Sequence, residues 1–210
     1  MSCGAALGRR FARIAATVLV RQPWLWRVFR RPLRWQFDSV AHEWDSLRRS
    51  DAYAPYEAAL DGLATAPRRA LDLGTGTGTG AFAIARRFPE AEVFGVDLAP
   101  RMVGHARRKV PPELRTRVHF AVADASRLPF PDAAFELVAH GNMIPFFDEL
   151  ARVLAGSGYA LFAFSGGSAT PIYVPFDRLR SELRRRGFTE FAEFAAGSGT
   201  ALLARRDERS

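Results

Sequence analysis

The sequence predicts an α/β fold: a doubly wound, mostly parallel sheet of seven strands, the final strand antiparallel, with helices at the N-terminus. Three observations predict it. From Arg68 onward short apolar runs alternate with amphipathic ones, the order required by a parallel sheet covered on both faces. A glycine run, Gly74-Thr75-Gly76-Thr77-Gly78, separates the first apolar run from the first amphipathic one. The last two apolar runs are joined only by Ala196-Gly197-Ser198-Gly199, too short for a crossover, so they must pair antiparallel.

Each element has its own signal. Residues 70–73 form a short apolar strand, and residues 79–88 a helix that Pro89 stops. Residues 91–96 are the second strand, with Asp97 at its end, and Pro100 suits the first turn of the next helix. Residues 118–123 and 135–139 are the third and fourth strands, and residues 148–154 a helix. A tight turn at 155–158 leads into a fifth strand at 159–164. Residues 177–186 are a helix ended by Gly187, and residues 188–194 and 200–204 the closing pair.

Before Arg68 the pattern differs. Residues 9–35 read as helical, interrupted by Pro23 and Pro32. After Pro23, Trp24, Leu25, Val28 and Phe29 recur at helical spacing, with Arg27, Arg30, Arg31 and Arg34 on the other face. Residues 1–50 hold ten Arg against three acids, a net +7, whereas the rest of the chain is at +1. The chain therefore divides into a basic, aromatic helical segment at 1–60 and a domain at 61–210. Two readings of the segment stay open: a lid packed on the domain, or a helix on a membrane surface, where indoles favour the headgroup layer and guanidinium groups anionic lipid.

Composition excludes several classes. At 48% hydrophobic and 25% charged, the chain is neither disordered nor fibrous. Cys3 is the one cysteine, which excludes a disulfide framework, and no histidine or carboxylate spacing suggests a metal. Of thirty basic residues only Lys109 is lysine, a bias of coding rather than a phosphate-binding surface, so no nucleic-acid partner is expected. The apolar run at 14–20 is far short of the roughly 20 residues a spanning helix needs. No small-residue cleavage site follows it, which predicts a cytoplasmic protein, with peripheral membrane contact through residues 9–35 under the second reading.

The glycine run lies where free N–H groups at a helix N-terminus meet a ligand. Gly76 to Ala81 also satisfy the loosened dinucleotide pattern G-x-G-x-x-A, the signature of an NAD-type oxidoreductase. Asp97 stands about where nucleotide-binding folds place an acid on the ribose hydroxyls. Two further pieces follow, Ala123-Asp124-Ala125 and Glu149-Leu150-Ala151-Arg152-Val153-Leu154. Neither Asp124-Ala125 nor an antiparallel closing pair belongs to the oxidoreductase reading.

With these residues the chain resembles the class I S-adenosylmethionine-dependent methyltransferases, in the methyltransferase type 11 group that includes the ubiquinone and menaquinone C-methyltransferases. The resemblance runs from about Phe37 to Arg206. It implies a Rossmann-like sheet, S-adenosyl-L-methionine as cofactor and methyl transfer to a small acceptor. It also implies roles: Gly74, Gly76 and Gly78 wrap the methionine half and Asp72 orients its amino group. Asp97 grips the ribose and Leu98 lies on the adenine, while Asp124 accepts from the adenine amine and the Ala125 backbone bonds a ring nitrogen. Trp44, in an aromatic-acid segment, helps close the site.

Departures concern the acceptor. The loop after the fourth strand is shorter than in the quinone-type relatives and apolar (Met143, Ile144, Phe146, Phe147) apart from His140 and Asn142, which favours a lipophilic acceptor. Asn142-Met143-Ile144-Pro145-Phe146 is not the Asn-Pro-Pro-aromatic signature of base methylation. His140 is the candidate general base, because histidine titrates near neutrality; the other reading, which its strand-end position favours, is a hydrogen-bonded histidine at the cofactor's rim. The short loop also leaves open a non-catalytic methyltransferase-like binding protein.

Overall fold

The computed structural model describes residues 22–47 and 50–207. A 3₁₀ turn at Pro23–Leu25 leads into α1 (Trp26–Val40), followed by α2 (Ala54–Asp61). The domain continues as β1 (Arg69–Leu73), α3 (Thr79–Arg87), β2 (Glu92–Asp97), α4 (Pro100–Arg108) and β3 (Val118–Val122). Then come β4 (Phe135–Gly141), α5 (Phe147–Val153), β5 (Leu154–Phe164), α6 (Phe176–Arg184), β6 (Phe188–Ala196) and β7 (Gly199–Arg206). The sheet order is β3-β2-β1-β4-β5-β7-β6, with β7 antiparallel to both its neighbours and the other pairs parallel. This is the Rossmann-like sheet expected from the alternation and the short final connection.

Side chains alternate across the strands, so each face buries its own cluster. Leu71, Leu73, Val138 and Phe162 pack with α1, α5 and α6, whereas Ala70, Leu137, Leu161 and Leu203 pack with α2 and α3. Residues 54–61, which carried no motif, thus supply Tyr56, Ala59 and Leu60 to the core.

Two local expectations change. Pro32 does not interrupt the N-terminal helix but lies inside α1. It sits on the exposed side, where water can satisfy the carbonyl its missing N–H leaves free. The turn at 155–158 is absorbed into β5 as a bulge: the partner of β4 moves from Leu154 to Tyr159 while β4 advances only from Phe135 to Leu137. The apolar run at 14–20 lies outside the described residues. Among the described ones no helix is long and apolar enough to cross a membrane.

Candidate active site

The carboxyl ends of β1, β2, β3 and β4 meet where the strand order reverses between β1 and β4, the crevice in which open α/β sheets bind ligands. The loop after β1 enters it with Gly74, Gly76 and Gly78 at φ of +66°, +55° and +91°, left-handed values that a side chain disfavours. Space is as restrictive as conformation. A Cβ at Gly78 would lie 2.8 Å from Phe120, and one at Gly74 2.9 Å from Met143 Sδ.

Asp97 locks the loop to the end of β2. Its Oδ2 accepts the Gly76 N–H at 2.9 Å and its Oδ1 the Ala99 N–H at 2.8 Å. A carboxylate offers about four lone-pair sites, so acceptor capacity remains for a ligand hydroxyl. Burial raises its pKa, and the N–H groups of Ala99, Gly76 and Leu98 hold the charge against it.

Asp72 works beneath the loop. Only 3% exposed, it accepts from Tyr56 Oη at 3.0 Å, from Thr75 Oγ1 at 2.7 Å and from the Ala81 N–H. Burial raises its pKa to about 6 despite those donors. Its carboxylate, expected to orient the cofactor's amino group directly or through water, also braces α2, the loop and α3.

At the end of β3, Asp124 Oδ1 accepts from the Ser126 backbone at 2.9 Å and from Ser126 Oγ at 2.7 Å. It also accepts from Trp26 Nε1 of α1 at 2.7 Å. Arg30 Nη1 stands 3.6 Å from Oδ2. Ala125 is buried and Leu98 half-buried beside the same cluster.

A cover spans residues 26–47. Trp44 stands edge-on to Phe37, and its Nε1 lies 3.4 Å from where a Cβ on Gly76 would be. Asp45 accepts from Thr77 Oγ1 at 2.6 Å and pairs with Lys109 Nζ at 2.6 Å. Asp38 Oδ1 accepts the Arg101 N–H at 2.9 Å, capping the first turn of α4, which has no side-chain cap of its own.

His140 is 1% exposed, beside Leu73 in register and stacked on Phe162 at 4.6 Å and 12°. Its Nδ1 lies 3.3 Å from the Leu161 carbonyl, which assigns the proton to Nδ1 and leaves Nε2, without a hydrogen-bond partner, as a bare lone pair. Burial lowers its pKa to about 4. Asn142 is spent on structure: its side chain bonds Ser165 Oγ at 3.0 Å and the Ser165 N–H at 2.9 Å.

The crevice thus gathers the glycines, Asp97, Leu98, Asp124, Ala125 and Trp44, with Asp72 below and His140 behind. Tyr56, Trp26 and Arg30 were missed. Trp26, Arg30, Leu33 and Phe37 recur at i, i+4, i+7 and i+11, a visible signal for an inward stripe. The Glu149-to-Leu154 piece proves structural: Glu149 Oε2 accepts the Leu128 N–H at 2.7 Å, and Arg152 donates to the Phe130 and Leu128 carbonyls. Among the described residues no group of His, Cys, Asp and Glu could hold a metal ion.

Residues 70–158 match the family model described as a methyltransferase domain. The malonyl-[acyl-carrier protein] O-methyltransferase of Halorhodospira halophila is 39% identical over 147 residues, 65% of this chain and 49% of that one. The demethylmenaquinone methyltransferase of Thermus thermophilus is 43% identical over 135 residues, 58% of this chain and 60% of that one. The chain therefore spans about half the length of the curated relatives it matches. A crystal structure of a SAM-dependent methyltransferase from Aquifex aeolicus superposes with a TM-score of 0.67 over 80% of this chain and 98% of that one, at 17% identity, a likeness of fold.

Proposed function

The chain belongs to the class I S-adenosylmethionine-dependent methyltransferases, and from that premise we propose that it methylates a small lipophilic acceptor, with S-adenosyl-L-methionine as cofactor. One observation supports the cofactor reading above the rest. Asp97, at the end of β2, keeps acceptor capacity on its carboxylate while its backbone bonds hold the glycine loop open beside it. That acceptor suits a ribose, whose two vicinal hydroxyls can donate to it. The glycines leave room for the methionine half, and Leu98, Asp124 and Ala125 suit the adenine.

The bound cofactor supplies an electrophilic methyl group on a sulfonium. The chain's own contribution is then mainly proximity, alignment and the exclusion of water. Trp44 and Met143 cover the glycine loop, and Ile144, Phe146 and Phe147 supply a dry wall. An acceptor that must lose a proton would find a lone pair at His140 Nε2, oriented by the Nδ1 contact to Leu161. The relatives named for demethylmenaquinone and malonyl-[acyl-carrier protein] favour no single acceptor atom between them.

The outer face of α1 and of the 3₁₀ turn before it supports peripheral contact with an anionic membrane. Trp24, Val28 and Trp35 are 69%, 65% and 75% exposed and share one helical stripe, flanked by the exposed Arg27, Arg31 and Arg34. Because α1 covers the site, this face would bring a lipophilic acceptor close to the crevice. The test of the central reading is calorimetry. S-adenosylhomocysteine should bind and NADH should not, and NADH binding without S-adenosylhomocysteine binding would overturn the assignment.

A further inference from the structure

The first turns of α1 make a contact that a mere cover does not need. The Trp26 indole, 8% exposed, donates its N–H to Asp124 Oδ1 at 2.7 Å and stands edge-on to Phe146 at 5.0 Å. It belongs to the same apolar cluster as Ala125 and Leu128, against which Leu98 and Ala123 pack. An indole shares with a purine the three features such a place selects: a flat fused bicycle, apolar faces and an N–H donor at its edge. We infer that α1 is the protein's own ligand for the purine subsite, Trp26 standing where the adenine ring of the cofactor binds, so that helix and cofactor compete for Asp124. This inference rests on the cofactor reading above, in which Asp124 accepts from the adenine amine.

Crowding at Asp124 Oδ1 sets the two rings in competition. Oδ1 already receives Trp26 Nε1, the Ser126 N–H and Ser126 Oγ, more donors than its two lone pairs favour, and Arg30 faces Oδ2. The Ser126 bonds are local to the turn and persist whichever ring is bound. Trp26 and Arg30 are the partners that can leave. The second half of α1 has separate anchors, namely buried Leu33, half-buried Phe37 and the Asp38 bond to the Arg101 N–H. Between the two halves lies Pro32, which has no N–H for the Val28 carbonyl. The helix is therefore weakest between the turns that plug the subsite and those that stay docked, and Pro32 is its pivot. Cofactor affinity is reduced by the fraction of molecules in which the plug is closed.

Titration of S-adenosylhomocysteine into the full chain, Trp26→Ala and Trp26→Phe tests this. Trp26→Ala should bind at least about tenfold more tightly than the full chain. Trp26→Phe, which keeps a ring but loses the N–H, should gain by a smaller factor. In the full chain the Trp26 indole N–H resonance should move to a solvent-exposed position as the ligand, or adenosine alone, saturates the site. Unchanged or weaker binding by the variants, or an indole resonance that stays in place in the complex, would overturn the competition and make Trp26 a fixed wall over the cofactor. Should Trp26→Ala not fold, Trp26→Phe and the resonance decide alone. Failure of all three proteins to bind S-adenosylhomocysteine is a different result, which overturns the cofactor reading and the plug with it.

Discussion

Replacing His140 by leucine should expose an acid response that the wild-type fold masks. The imidazole is buried against Phe162, and its pKa falls from 6.5 to about 4 because burial disfavours the charged form, opposed only by the Leu161 carbonyl. In the unfolded chain the ring titrates normally, so between pH 6.5 and about 4 the unfolded state binds more protons than the folded one. Stability conferred by neutral His140 is therefore fully present above the unfolded pKa and lost as pH falls through that window. A shift of this size corresponds to about 3 kcal/mol at 1.36 kcal/mol per unit. Asp72 acts in the opposite sense. Its pKa rises from 3.8 to about 6 on folding, so its contribution declines as pH rises between those values, again by about 3 kcal/mol.

The two dependences overlap and largely cancel in the wild-type chain; His140→Leu should unmask Asp72. Relative to wild type, the variant should gain stability as pH falls from about 6.5 to about 4, by up to about 3 kcal/mol. Urea unfolding of both proteins at matched pH values across the window measures the difference. Parallel curves would refute the buried, neutral assignment, as would a His140 resonance titrating near its ordinary value. The same assignment places the acid limb of kcat/KM near pH 4 if His140 is the base.

Two further outcomes are expected. Asp97→Ala removes the acceptor of two backbone N–H groups, so it should lower stability by about 2 kcal/mol or more in thermal unfolding and weaken S-adenosylhomocysteine binding at least about tenfold; undiminished affinity would mean the ribose is held elsewhere. The full chain should sediment with anionic but not neutral vesicles, at about 1 kcal/mol per surface arginine and less as salt rises. Trp24→Ser with Trp35→Ser should abolish that binding, and absence of sedimentation by the unmodified chain at low salt would discard the membrane face.

What the sequence disclosed depended on how locally each feature is specified. The glycine loop, Asp97 and the closing hairpin were legible because the determinants of each lie within a few residues: left-handed turns, a strand end, a connection too short to cross over. Helix α1 was legible as a helix but not in its phase. The apolar and basic residues of this helix and the turn before it are so interleaved that the stripe Trp24, Leu25, Val28 and Phe29 fits the spacing as well as the stripe Trp26, Leu33 and Phe37 does. Only the second is the inward one. Leu25 and Phe29 flank it, while Trp24 and Val28 face out with Trp35. What fixes the rotation is the bond from Trp26 to Asp124, 98 residues downstream, which no periodicity within the helix contains. The brace from Tyr56 to Asp72 is hidden for a related reason: α2 shows no motif, and a buried phenol becomes intelligible only once the sheet brings a carboxylate to it. Both contacts join the N-terminal 60 residues to the crevice, so the segment that its basic and aromatic composition sets apart is tied to two of the carboxylates at the strand ends.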